Sequence, residues 1–277
     1  MLGTWWAHWQ TWREDRAVAR RPIRDDLWKR TLVRYPFLRR RDAADQARLR
    51  RLTSLFLDRK EFSALGGVKL TDDVVVAVAA QACLPVLRLG LDAYDGFLGV
   101  VLHPDQVLAP RSYTDDDGVV HEYEEPLAGE AVLGGPVMLS WRDVRTAGRS
   151  TALGYNVVIH EFAHVLDMAD GQADGVPPLP AGLPAREWQA VLSQAYEAFV
   201  AQVEAWEALP DDQADEHDLP LDPYGAEAPE EFFAVASEAF FVNPWHFQAA
   251  FPALQALLVR YYRQDPTLDM PPLPVRD

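Results

Sequence analysis

Cysteine is almost absent: Cys83 stands alone among 277 residues. That excludes an internal disulfide and a thiolate metal cage, so a transition-metal site must use histidine and carboxylate. A lone thiol fits a reducing cytosol, and its apolar neighbours make Cys83 a core residue. Positive charge is also short. Lys and Arg number 26 against 42 Asp and Glu, a formal net charge of −16, which excludes general affinity for nucleic acid. No uninterrupted apolar run reaches membrane length. Residues 74–91 come nearest, but Gln81, Pro85 and Arg88 interrupt them, which predicts a buried helix rather than a membrane span. The tryptophan-rich residues 1–12 lack the apolar run of a signal peptide. No internal repeat is present. The expectation is a cytoplasmic protein with no nucleic-acid or membrane partner, and 49% hydrophobic residues suffice for a sizeable core.

What is present centres on HEFAH at 160–164. On a helix, residues four apart stand one above the other, so His160 and His164 can reach one metal ion. Glu161, one step round, points to the open coordination position. Zinc suits such ligands and lowers the pKa of a bound water towards ~7, where a neighbouring glutamate can take its proton. The context favours a metal site over two core histidines. Residues 155–159 (YNVVI) are apolar, Phe162, Val165 and Leu166 continue the stripe, and Gly171 and Gly175 end the helix.

Two histidines leave a protein ligand missing. No third histidine follows at the HExxHxxGxxH spacing; Asp170 stands there instead. Residues 230–241 (EEFFAVASEAFF) offer Glu230, Glu231 and Glu238, and the last two share a helix face. Glu231 is the chosen third ligand. Glu238 then accepts a histidine ring N–H, a role Asp167 can also fill. Tyr224, seven residues before Glu231, is either an oxyanion donor or a packing tyrosine.

Elsewhere, Trp5, Trp9 and Trp12 share a helical face that docks on the body or on a partner, with a membrane surface as the sharper alternative. Residues 13–60 are basic. Apolar spacing within them predicts helices over 24–35 and 43–59, split by Pro36, whose basic faces are solvated or pair with the acidic remainder; a dedicated acidic-partner site is the lesser reading. Thr71 with Asp72 and Asp73 opens a helix running to about Ala82. Strands are expected over 96–103 and 137–141, and a hairpin over 107–123 turning at Asp115–Gly118. Residues 135–140 are a candidate edge for pairing with an extended substrate. Helices follow over 187–209 and 230–242, then two short ones after Pro244 and Pro252. Residues 1–66 form a helical segment packed on a catalytic domain of residues 67–277, together one compact unit.

GPVMLSW at 135–141, NVVIHEFAHVLDMADGQADGVP at 156–177, LDPYGAEAPEEFFAVASEAFF at 221–241 and YRQDP at 262–266 carry a resemblance. With these the chain resembles the Mlc titration factor A family of zinc-dependent peptidases, from about Ile23 to Pro266. The tyrosine and EFF segment is also similar, distantly, to the catalytic domain of anthrax lethal factor. The resemblance implies an α+β, zincin-like fold, mostly helical, with a small mixed sheet beside the zinc helix. It implies one Zn2+ per chain on His160, His164 and Glu231, with Glu161 as general base and Tyr224 as oxyanion donor. It further implies aminopeptidase-like hydrolysis of a peptide or protein substrate. The namesake's binding of the repressor Mlc raises the alternative of a regulatory protein that sequesters a transcription factor. The chain departs from the family at its tryptophan-rich start and at the acidic loop 211–222, for which a lid over the site is one reading.

Overall fold

Prolines and short polar breaks divide the first fifth of the chain into helices. In a computed structural model, which describes residues 2–114, 120–148, 154–210 and 219–269, these are α1 (Leu2–Arg20), α2 (Asp25–Arg34), α3 (Pro36–Arg39) and α4 (Ala43–Arg59). Pro36 stands at the start of α3, where its missing N–H costs nothing. Asp42 caps α4, its carboxylate accepting the Asp45 N–H at 2.7 Å. The basic faces pair with acids. Arg20 meets Asp58 at 2.7 Å, Arg51 meets Asp15 at 2.7 Å, and Arg88 meets Asp45 at 2.6 Å. Arg30 bridges Asp26 and Asp73. Where such pairs are exposed, solvent screening leaves them little net stabilisation. Trp9 and Trp12 are about half exposed, each under an arginine guanidinium; the side chain of Trp5 lies outside the described residues.

The sheet comes next. β1 (Glu61–Ala64) precedes α5 (Asp72–Ala82), and β2 (Gly99–His103), β3 (Val107–Thr114), β4 (Val120–Leu127), β5 (Gly129–Ala131) and β6 (Val137–Ser140) follow. The main sheet has the order β1-β2-β6-β5. β1, β2 and β6 run parallel, while β5 returns antiparallel to β6. β3 and β4 form the expected hairpin, Val107 opposite Leu127; its turn at Asp115–Gly118 lies outside the described residues. Two expectations need correction. Thr71 precedes α5, but its side chain makes no capping bond. Residues 135–140 do not present a free edge: β6 is bonded to β2 on one side and to β5 on the other, so the edge belongs to β5.

The remaining chain is helical: α6 (Trp141–Thr146), α7 (Val157–Asp167), α8 (Ala185–Glu207), α9 (Pro229–Val242), α10 (Pro244–Ala250), α11 (Pro252–Tyr262) and α12 (Pro266–Asp269). α7 packs on α9 and lies against β5, β6 and α5. Its apolar face is buried through Val158, Ile159, Phe162 and Ala163, and Cys83 is buried as well. Phe162 meets Tyr94 at 5.0 Å, Phe97 at 5.4 Å and Phe56 of α4 at 5.7 Å between ring centroids. Phe232, Phe233, Phe240 and Phe241 are all buried and seat α9. Each aromatic pair contributes about 0.5–1.5 kcal/mol beyond its area. The result is a mostly helical α+β fold with a small mixed sheet beside the helix that carries HEFAH. Among the described residues no helix is long and apolar enough to cross a membrane.

Candidate metal centre

Asn156 starts α7. Its side-chain oxygen accepts the Ile159 N–H at 3.0 Å, and its amide nitrogen donates to Gln81 of α5 at 2.9 Å. Its backbone N–H donates to Glu238 of α9. With α7 held against both neighbours, the one-turn spacing stacks the two imidazoles, and His160 Nε2 lies 3.1 Å from His164 Nε2. Pro229 begins α9, which puts Glu231 in its first turn. Glu231 Oε2 lies 3.1 Å from His160 Nε2 and 3.2 Å from His164 Nε2. His160, His164 and Glu231 thus form one group able to hold a metal ion.

The donor set fits a divalent cation. Glu238 Oε1 lies 2.7 Å from His160 Nδ1. A carboxylate there accepts the Nδ1–H, which leaves the Nε2 lone pair facing the cluster. With His164 Nε2 likewise unprotonated, as a metal ligand must be, three electron-rich atoms would face one another. Metal bonds of about 2.0–2.2 Å set tetrahedral ligand atoms roughly 3.3–3.6 Å apart, a little beyond the 3.1–3.2 Å here. The electrostatics agree. Burial would lower the affinity of His160 for a proton, but Glu231 and Glu238 raise it well above the usual range. Burial would raise Glu231, yet the two imidazoles hold it well below the usual carboxylate range. The field that draws a proton to His160 is one a divalent cation neutralises.

Glu161 is buried, and burial pushes its carboxyl up. It lies where two cavities meet. One, of about 220 Å³, is lined by Glu130, Ala131, His164, Met168, Glu230 and Glu231 among others. The second, of about 200 Å³, is lined by Gln106, Tyr155, Val157, Asp222 and Glu238 among others. Gly129, His160, Glu161 and Tyr224 line both, and among the described residues no Lys or Arg lines either. Tyr224 sits in a short 3-10 turn, Pro223–Ala226, capped by Asp222, which accepts the Tyr224 N–H at 3.0 Å. Its ring centroid is 6.0 Å from that of His160. A larger groove, about 890 Å³, runs between the ends of α1, α4 and α5 and contains none of these residues.

Of the two acceptors considered for a histidine N–H, Glu238 meets a ring, whereas Asp167 takes the Gly175 N–H at 2.9 Å. Asp170 accepts from Gln172, three residues beyond Asp167 and away from the group of ligand atoms. His217 and most of the acidic loop lie outside the described residues. Sequence reasoning missed Asn156, Gln81, Glu130 and Gly129. A polar residue just before an apolar helix marks Asn156, and a lone glutamine in an apolar helix marks Gln81. Nothing local marks Gly129.

Comparison with known proteins gives consistent matches. The family model described as glucose-regulated metallo-peptidase M90 matches residues 9–263. Mlc titration factor A of Salmonella arizonae is 36% identical over 244 residues, covering 88% of this chain and 92% of that protein. An uncharacterized protein of Synechocystis is 34% identical over 267 residues, 95% and 92% of the two chains. Mlc titration factor A of Klebsiella pneumoniae is 35% identical over 240 residues, 86% of each.

Proposed function

The chain belongs to the glucose-regulated metallo-peptidase M90 family, and from that premise we propose that it is a zincin-like, cytoplasmic zinc peptidase with aminopeptidase-like action on small substrates. One observation carries the reading: two imidazoles and a carboxylate from separate helices converge, with a buried glutamate beside them where two cavities meet. His160, His164 and Glu231 would hold one Zn2+. Bound there, zinc supplies a Lewis acid for the scissile carbonyl and lowers the pKa of an attacking water. Glu161 takes the proton from that water and passes it to the leaving amine. Tyr224, which lines both cavities, donates a hydrogen bond to the developing oxyanion. Glu238 keeps His160 in the tautomer and orientation a ligand needs. The cavities on either side of Glu161 accommodate substrate residues flanking the cleaved bond.

The Glu161→Gln protein tests this. It is expected to bind one zinc per chain and to lose activity by at least about 10²-fold; turnover equal to wild type removes Glu161 from the mechanism. Glu231→Ala is expected to lose zinc by metal analysis. If Glu231→Ala keeps zinc while Glu238→Ala loses it, the ligand assignment is wrong.

A second reading rests on the name two of the relatives carry, Mlc titration factor A. In it the chain binds a transcriptional regulator, and hydrolysis is secondary. A cellular effect that survives Glu161→Gln, with the regulator captured by that protein, favours this reading.

A further inference from the structure

We propose that Gly129 is a positioning residue for Glu161: the missing side chain at the start of β5 sets where that carboxylate rests. The inference rests on the reading of Glu161 as the proton-transferring group. A Cβ built on Gly129 would lie 2.6 Å from Glu161 Cγ and 2.7 Å from Cδ, and closer still to Oε1. All three nearest atoms belong to Glu161, so the space a side chain would need is the space the glutamate occupies.

Backbone conformation does not explain the glycine. Gly129 is absent from the residues with positive φ, so alanine is conformationally allowed there. Glycine within a strand weakens it, and close approach by another group is one reason it is found there. Here that group is the glutamate itself. β5 cannot simply retreat. Its three residues pair with Leu139, Met138 and Val137, and Ala128, just before it, accepts the Ser140 N–H at 2.7 Å. Glu161 is itself buried. A methyl at 129 therefore swings the carboxylate away or lifts the edge strand. Either movement displaces the glutamate at the junction of the two cavities, which Gly129 also lines. A displacement near 1 Å costs on the order of 10²-fold in rate.

The test uses the full chain in zinc-loaded form: wild type, Gly129→Ala, Glu161→Gln, Glu161→Ala, and Gly129→Ala combined with Glu161→Ala. On a chromogenic aminoacyl anilide, Gly129→Ala is expected to keep one zinc and a nearly unchanged KM while kcat falls about 10²-fold. A contact with folding cost but no positioning role would leave kcat alone. Thermal unfolding supplies a readout independent of activity. Gly129→Ala should lower Tm in the wild-type background and not in the Glu161→Ala background, where the colliding atoms are gone. Unchanged kcat, or an equal loss of Tm in both backgrounds, overturns the proposal. If Gly129→Ala alone fails to fold, recovery of folding in the double variant supports the contact, and failure of both overturns it. Full turnover by Glu161→Gln would instead remove the base reading, and the Tm comparison would still report the contact.

Discussion

Glu238 is buried, and its two oxygens face two N–H groups, the His160 ring and the Asn156 backbone. Burial pushes its carboxyl up, and the two donors pull against that. A glutamine in its place has one acceptor oxygen, so either the ring or the backbone loses its partner and meets an amide N–H instead. Glu238→Gln should leave the fold intact and weaken zinc binding by about 10–100-fold, read by competition with a chromogenic chelator. Wild-type affinity in that variant would mean the ring is oriented from elsewhere. Residues of this kind were legible when helical spacing joined them: His160, Glu161 and His164 lie within two turns, and Glu231 and Glu238 lie two turns apart on α9. Gly129 was not legible. It lies 32 residues before its partner Glu161, and only the folding of β5 onto α7 brings them together.

Among the elements, α7 carries the most constraint at its two ends. Asn156 satisfies the first turn. At the other end Asp167 is fully buried, where a helix C-terminus disfavours an anion. Burial raises its carboxyl to about 7, and the Gly175 N–H offsets only part of that. An aspartate in an unfolded chain titrates near ~3.9, so folding takes up a proton between those values. The stabilising contribution is fully present below ~4 and is lost as pH rises through about 7. Asp167→Asn cannot titrate. Urea midpoints of the zinc-loaded proteins should therefore shift in favour of the variant, relative to wild type, as pH rises from 5 to 8. A difference that stays constant across that range would place the titration elsewhere. The longer helices followed from apolar spacing and proline punctuation, whereas the short α3, α6 and α12 were not expected. β1 and β5, with the sequences EFSA and GEA, are too short to show alternation, and neither was expected. The strands at 99–103 and 137–140 were visible, but their pairing was not, because a strand's own residues do not say which strands flank it. That is why a free edge was assigned to β6 when β5 covers it.

At the scale of the whole molecule, charge is distributed so that the site stays acidic. In the first sixty residues Arg20, Arg24, Arg30, Arg50, Arg51 and Arg59 are engaged by Asp and Glu of the same helices and of the body. They thereby neutralise acids far from the cleft. Glu130, Glu161, Glu230 and Glu231 line one cavity, Asp222, Glu161 and Glu238 the other, and among the described residues no lysine or arginine lines either. The net charge of −16 adds to the same field at long range. A zinc ion cancels part of this at the ligands and less of it at the outer ends of the cavities, where flanking substrate residues would lie. Matched peptides with lysine or arginine beside the cleaved bond should therefore show higher kcat/KM than peptides with aspartate or glutamate there. The Debye length shrinks from about 30 Å at 0.01 M salt to about 8 Å at 0.15 M. The long-range share of the preference should fade across that interval, while the share from carboxylates in direct contact persists. Equal rates for basic and acidic peptides at low salt would show that the carboxylates of the cleft are balanced by something other than the substrate.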